Sequence, residues 1–133
     1  MIALDTNIIA RVILNDDPTQ YAAASEALSQ DALITPTVLL ELLWVLRSLG
    51  GLQTADLQEI VRTLAARSNI TIGTPGAPEA CQEFLRLWAA GLDPEDAAHV
   101  AFVGDVDAFV TFDKDFSKRA KKAGSTMPVE LAR

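Results

Sequence analysis

The sequence predicts an α/β fold, a three-layer sandwich in which a short, mainly parallel β-sheet is flanked by helices. Short apolar segments typical of strands alternate along the chain with longer segments of helical periodicity. The 133 residues suit one compact domain, residues 1–133, and half of them are hydrophobic. No repeat or low-complexity segment divides the chain.

The first quarter of the chain gives two strands and two helices. "MIAL" (1–4) is typical of a short buried strand, and "NIIARVILN" (7–15) of a helix. "PTQYAAASEALSQ" (18–30) is rich in alanine and begins with proline, a residue favoured in the first helical turn. "ALIT" (32–35) then predicts a second strand.

The next segments have clear helix signals. "PTVLLELLWVLRSLG" (36–50) is preceded by Thr35, a good N-cap, and is followed by a second glycine that ends it. "TADLQEIVRTLAARS" (54–68) predicts a helix with Thr54 as its cap. "NITIG" (69–73) predicts a strand, and "TPGAP" a loop.

The last part continues the alternation. We expect helices at 78–91, 93–105 and 114–124, and strands at 107–112 and 126–130. Gly91 and Gly124 end two of the helices, and Asp93 with Pro94 begins the short one. Pro128 weakens the last strand, because proline is confined to the edges of sheets.

The composition argues against several classes of protein and of metal site. Cys81 is the only cysteine and His99 the only histidine, which excludes an internal disulfide and a zinc site built from these residue types. No apolar run approaches the roughly 18 residues of a membrane span. The first apolar segment lacks a preceding basic stretch, so we expect no secretory signal and a cytoplasmic location.

Two predicted strands end in an acidic residue, Asp5 after "MIAL" and Asp113 after "DAFVTF". Sites in open parallel sheets form beyond the carboxyl ends of the strands, so neighbouring strands would direct both carboxylates into one crevice. Either residue alone is explained equally well as a turn residue or a helix N-cap.

Glu41 is the one polar residue in the nine-residue run "VLLELLWVL". We expect the buried face of this helix to be formed by Leu42, Val45 and Leu49, with Glu41 at its edge. A buried carboxylate without a partner is costly and its pKa should rise. Glu41 is therefore expected to pair with Arg47 or another cation, to reach solvent, or to point into a polar pocket.

Asp96 lies in "GLDPEDAAHVAF", three residues before His99. Its simplest explanation is a capping box with Asp93 at the start of a helix. As a fourth acid beside the other three, it also suits a metal site. A histidine in such a helix more often packs than catalyses, and no serine-triad or phosphate-loop motif accompanies it.

Four converging carboxylates suit Mg²⁺ or Mn²⁺, and such ions can activate water for cleavage of a phosphodiester. A net charge of −7 argues against general binding to nucleic acid. However, five basic residues fall within 114–122, where a basic helix could meet phosphates or simply be a solvated surface.

Four segments together resemble PIN-domain proteins, and more closely the VapC-type toxins of bacterial toxin–antitoxin pairs. They are "MIALDTNIIARVILNDDP", "TVLLELLWVLRS", "LDPEDAAHVAF" and "VTFDKDF", and they span nearly the whole chain in the family's order and spacing. "LDTN" alone would be a weak signal, but the combination is specific. The chain departs from the pattern at "DPED", where relatives often have an aromatic or apolar residue after the first Asp.

The resemblance implies a PIN-like fold and a Mg²⁺-dependent endoribonuclease, with Mn²⁺ able to substitute. It also implies a homodimer and a VapB-type antitoxin that blocks the acidic groove. The positions that match the family's catalytic and metal-binding acids are Asp5, Glu41, Asp96 and Asp113. Supporting positions are Thr6, Asn7 and Asp115, and positions suited to RNA contact are Lys114, Lys118 and Arg119.

Two other functions stay open. A catalytically degenerate PIN-like module could act only through protein partners. A haloacid-dehalogenase-like phosphatase would need a second Asp two residues after the first, where this chain has Asn7. A receiver domain has a similar fold but is not supported. It would need an early pair of acidic residues and a late lysine after a strand, and the sequence shows no convincing match to either. The RNA target and the number of metal ions are not determined by the sequence.

Overall fold

The computed structural model of the chain describes residues 1–73 and 78–133. The predicted loop "TPGAP" falls largely on 74–77, outside the described residues. The strands are β1 (Ile2–Leu4), β2 (Ala32–Ile34), β3 (Ile70–Ile72), β4 (Phe109–Thr111) and β5 (Val129–Leu131). The helices are α1 (Thr6–Leu14), α2 (Pro18–Ser29), α3 (Pro36–Ser48), α4 (Thr54–Ala66), α5 (Pro78–Ala89), α6 (Pro94–Ala101) and α7 (Lys114–Lys122).

The five strands form one sheet in the order β3-β2-β1-β4-β5, and every neighbouring pair is parallel. The chain runs outward from β1 to β3 and then crosses back to β4 and β5 on the other side of β1. With the right-handed crossovers usual for parallel strands, this order distributes the helices over both faces of the sheet. The predicted α/β sandwich with its short parallel sheet is confirmed.

The strand β1 is the point at which the order of the sheet reverses. Its register pairs Leu4 with Val110 of β4, and the backbone N–H of Asp5 donates to the Val110 carbonyl at 2.9 Å. In open α/β sheets, a crevice opens beyond the carboxyl ends of the strands at such a switch point. The two strands that end in acid are therefore direct neighbours, as the prediction of a shared crevice requires.

The core lies between the sheet and the helices. Its largest fully buried side chains include Leu4 and Phe109 from the sheet and Ile8, Leu42 and Phe116 from the helices. Burying such side chains contributes about 1.5–3 kcal/mol each relative to exposure. No helix among residues 1–73 and 78–133 has the length and apolar character needed to cross a membrane.

Two local predictions about helices were wrong. The buried face of α3 is formed by Val38, Leu42 and Leu46, so Leu42 lies on it as expected, but Val45 is only partly buried and Leu49 is 77% exposed. The helix α4 is capped by Gln53 rather than Thr54, because the Asp56 side chain accepts the Gln53 backbone N–H at 3.0 Å. Thr54 is the first residue of the helix and instead accepts a hydrogen bond from Arg47.

Candidate active site

Asp5 directly follows β1 and Asp113 lies two residues after the end of β4, and each begins the helix that follows. Asp5 is the N-cap of α1 and accepts the Thr6 backbone N–H at 2.7 Å. Asp113 is the N-cap of α7 and accepts the Phe116 backbone N–H at 2.9 Å. Each acid thus caps a helix and also lies beside the same crevice. The expectation of an N-cap and the expectation of a shared crevice are therefore both met.

The hydroxyl of Thr111 connects these two acids. It donates to Asp5 Oδ2 at 2.6 Å and accepts from the Asn7 side-chain amide at 3.2 Å and the Asp113 backbone N–H at 3.0 Å. A hydroxyl has one proton and two lone pairs, so the hydrogen-bonding capacity of Thr111 is used completely. The side-chain oxygen of Asn7 accepts the Phe112 N–H at 3.2 Å, which ties α1 to the end of β4.

Glu41 enters the crevice from α3. Its Oε2 lies 3.1 Å from the Thr6 hydroxyl and 2.7 Å from His99 Nε2. The rise in pKa expected for a carboxylate without a partner does not occur, because the hydrogen bond from His99 lowers the pKa of Glu41 and outweighs its partial burial. The expected pairing with Arg47 is not seen, since the guanidinium of that residue bonds Thr54.

Asp96 enters from the first turn of α6. Its Oδ2 accepts a hydrogen bond from the Arg119 guanidinium at 3.2 Å. Burial raises the pKa of Asp96, and Arg119 opposes the rise only in part. The proposed capping box is not formed, because Asp93 occupies the N-cap position without a side-chain cap bond and the Asp96 carboxylate faces Arg119.

The four acids line a single cleft of about 460 Å³. The cleft also contains Thr6, Asn7 and the ring of His99, so both predicted supporting positions on α1 are at the site. Among the described residues, Asp115 is not part of the cleft lining and is exposed on the first turn of α7.

Charge in the cleft is unbalanced toward the negative. Burial raises the pKa of Asp5, which is 7% exposed, although the hydrogen bond from Thr111 opposes the rise. Burial works to lower the pKa of His99, but the hydrogen bond to Glu41 and the nearby acids outweigh it and the pKa is raised. A bound cation would lower the pKa of both Asp5 and His99, because positive charge favours an ionised carboxylate and a neutral imidazole.

The donor set fits a hard divalent cation. One oxygen each from Asp5 and Glu41 and one ring nitrogen of His99 lie within 4.8 Å of one another. Asp96 and Asp113 add carboxylates along the same cleft wall. Oxygen ligands of this kind are those that Mg²⁺ and Mn²⁺ prefer.

The basic helix predicted from the sequence is α7, which begins directly after Asp113. Its side chains at Lys114 and Lys118 are exposed. Arg119 is partly buried and holds Asp96, so its guanidinium faces the cleft acid. Of the three basic residues suggested for RNA contact, two are therefore available to solvent and one is engaged at the site.

Sequence reasoning did not identify Thr111, and it favoured a packing role for His99. A hydroxyl in the apolar strand "FVT", two residues before Asp113, was an available signal for Thr111, because alternate strand residues share a face. His99 follows Asp96 by three residues, but nothing in the sequence indicated its partners. Its partners Thr37 and Glu41 are 62 and 58 residues away in sequence, and only the packing of α6 against α3 brings them together.

Comparison with known proteins is consistent with this geometry. The sequence profile of the family described as "PIN domain" matches residues 2–122. A crystal structure of VapBC2 from Rickettsia felis, bound to a DNA fragment from their promoter, contains a chain of similar fold. The TM-score is 0.67 with 15% sequence identity, and the match covers 100% of both chains. Among curated proteins, no significant match was found.

Proposed function

The chain belongs to the PIN-domain family, whose profile covers nearly all of it, and we propose that it is a divalent-metal-dependent endoribonuclease. The observation that carries this proposal is the convergence of Asp5, Glu41, Asp96 and Asp113 on one cleft at the switch point of the sheet. Membership of the PIN-domain family argues against the phosphatase alternative. That alternative would also need an acidic residue at the position of Asn7.

Mg²⁺, with Mn²⁺ as a substitute, would supply water activation and charge stabilisation at the scissile phosphodiester. The four carboxylates would hold the cation, with Asp5 and Glu41 innermost and Asp96 and Asp113 along the wall. The Thr111 hydroxyl keeps the Asp5 carboxylate in place, and Thr6 orients Glu41. Because the cation would activate the water, the reaction would need no protein base.

The acidic chain must still bind a polyanion. Lys114 and Lys118 are exposed on α7, whose first residue follows Asp113 directly in the sequence. They would contact substrate phosphates at the rim while the bound cation neutralises the acids at the centre. The two lysines would thus bind phosphate and Asp113 would bind metal, although these residues lie close together in the sequence. We propose a cytoplasmic location, in which the chain would encounter its RNA substrate.

We also propose that the protein is the toxin of a VapBC-type module, with a VapB-type antitoxin and a homodimer as its assemblies. The similar fold of a chain in the Rickettsia felis complex supports this assignment. Exposed apolar side chains on α3 and α5 fit protein contacts, and they are Leu40, Trp44, Leu85 and Trp88. A groove of about 580 Å³ between α3 and α4 adds Leu43, Leu57 and Val61, and Arg47 and Arg62 also line it.

Mapping RNA cleavage sites in cells that express the chain, with and without the antitoxin, tests both parts of the proposal. We expect a defined set of cleaved RNAs that disappears when the antitoxin is present. Purified protein that neither cleaves RNA nor binds Mn²⁺ at millimolar concentration would instead support a degenerate module that acts through its partners. Sedimentation of the purified chain measures whether it is a dimer.

A further inference from the structure

His99 is held on both ring nitrogens at the wall of the cleft. Its Nε2 lies 2.7 Å from Glu41 Oε2, and its Nδ1 lies 3.0 Å from the Thr37 hydroxyl. His99 is 4% exposed, and its ring stacks on Phe109 with 6.0 Å between ring centroids and 13° between the ring planes. A second threonine, Thr35, lies 3.0 Å from the Thr37 hydroxyl and extends the chain of hydrogen bonds.

The partners of His99 determine where its protons lie. An ionised carboxylate can only accept hydrogen bonds, so the contact with Glu41 requires a proton on Nε2. The Thr37 hydroxyl can donate to Nδ1 when the ring is neutral, or accept from it when the ring is charged. The hydrogen bond from Nε2 to Glu41 is therefore the same in both charge states of the ring.

A direct role as a metal ligand conflicts with these contacts. The proximity of His99 to Asp5 and Glu41 would allow the three to share a cation. However, an imidazole nitrogen ligates a metal only after it loses its proton. Ligation through Nε2 would break the 2.7 Å bond to Glu41, and ligation through Nδ1 would break the bond to Thr37.

We propose that His99 is a positioning residue whose Nε2–H holds the carboxylate of Glu41 for a divalent cation, and that it is not itself a ligand. Thr37 fixes the ring from the other side, and Phe109 limits its tilt. Residues that hydrogen-bond metal-binding side chains orient them in this way. The consequence for catalysis rests on the proposed nuclease function, whereas the hydrogen-bond arrangement does not.

Nitrogen NMR of the full-length chain tests the arrangement directly, because His99 supplies the only imidazole signals. Long-range ¹H–¹⁵N spectra would be recorded without metal and with Mg²⁺. We expect a proton on Nε2 in both spectra, and a Thr37→Val variant that shifts the Nδ1 signal while the Nε2 proton remains. Loss of the Nε2 proton on addition of Mg²⁺, or a ring protonated only on Nδ1, would overturn the proposal.

Two variants then separate positioning from packing. His99→Phe keeps an aromatic ring against Phe109 but removes the donor, and His99→Gln keeps an N–H donor. Thr63→Val is the control for Thr37→Val, because the Thr63 hydroxyl bonds only the Glu59 carbonyl within α4. Thermal unfolding would establish that each variant is folded before Mn²⁺ affinity is measured by calorimetry.

We expect His99→Phe to lose about 10- to 100-fold in Mn²⁺ affinity or in kcat for RNA cleavage, with KM for RNA unchanged. His99→Gln should recover part of that loss. A His99→Phe variant with wild-type affinity and kcat, or a His99→Gln variant equally impaired, would contradict the positioning role. Failure of the wild-type chain to cleave RNA would remove the proposed function instead, and the NMR result would still decide the role of His99.

Discussion

Thr111 at the end of β4 donates a 2.6 Å hydrogen bond to Asp5 at the end of β1, across 106 residues of sequence. The bond is buried and joins the two strands at the point where the sheet reverses its order. Because the same hydroxyl also accepts the Asp113 backbone N–H, it fixes the relative position of two of the four cleft acids. The geometry of the site thus depends on a residue that binds no cation in the proposed mechanism.

Replacing Thr111 with valine tests this dependence. Valine keeps the shape of threonine but leaves an Asp5 oxygen without its donor, and a buried unsatisfied group costs about 1–3 kcal/mol. We expect a lower midpoint of thermal unfolding and a reduced kcat for RNA cleavage, both largely restored in Thr111→Ser. Thr63→Val serves as the control. Wild-type kcat in Thr111→Val would show that the hydroxyl has no positioning role.

The raised pKa values of Asp5 and Asp96 predict how pH affects stabilisation by metal. Without metal, the protonated forms favour the folded state, a contribution that is present below the unfolded pKa and lost as pH rises through the folded pKa. Glu41 behaves in the opposite way, because its pKa is lowered and its ionised form favours the folded state. This contribution is present above the unfolded pKa and is lost as pH falls through the folded pKa.

A bound cation offsets the cost of the ionised acids, so Mn²⁺ should raise the unfolding temperature more at about pH 7 than at about pH 4, close to the ordinary pKa of a carboxyl group. Differential scanning fluorimetry at fixed metal concentration measures the two shifts. Asp96→Asn should show a smaller shift at the higher pH, whereas Asp31→Asn, on the exposed turn before β2, should match the wild type. An equal shift at both pH values would be inconsistent with metal binding by these carboxylates.

The exposed lysines near Asp113 should determine how RNA binding responds to salt. We expect the double variant Lys114→Gln/Lys118→Gln to raise KM for RNA and to flatten the dependence of binding on salt by about 0.7 per lost phosphate contact. Lys121→Gln/Lys122→Gln removes the same charge from the last turn of the same helix. Equal effects of the two double variants would indicate general electrostatics rather than contact at the rim of the cleft.

Elements with strong local signals could be predicted from the sequence. Thr35 and Pro36 do begin α3, with the Thr35 hydroxyl accepting the Val38 N–H at 3.4 Å, because capping involves only neighbouring residues. The start of α4 was misplaced by one residue, because Gln53 and Thr54 are both polar and only the Asp56 contact decides between them.

The candidate site could be predicted only in part. The acids at positions 5, 41, 96 and 113 were identified and share one cleft, and Glu41 does point into a polar pocket, but its partner was not foreseen. Its pKa depends on His99, which approaches from another helix. Likewise, the buried face of α3 is set by what packs on it, and the apolar run that contains Glu41 allows more than one face to be chosen.

Cleavage of RNA by the purified chain and its acid-to-amide variants tests the central claim most directly. The claim predicts cleavage with Mg²⁺ or Mn²⁺ that stops with chelator and is lost in Asp5→Asn, Glu41→Gln, Asp96→Asn and Asp113→Asn. The control variants Asp31→Asn and Glu79→Gln, at exposed acids outside the cleft lining, should retain it. Cleavage that persists with chelator, or that is equal to wild type in Asp5→Asn and Asp96→Asn, would contradict the claim.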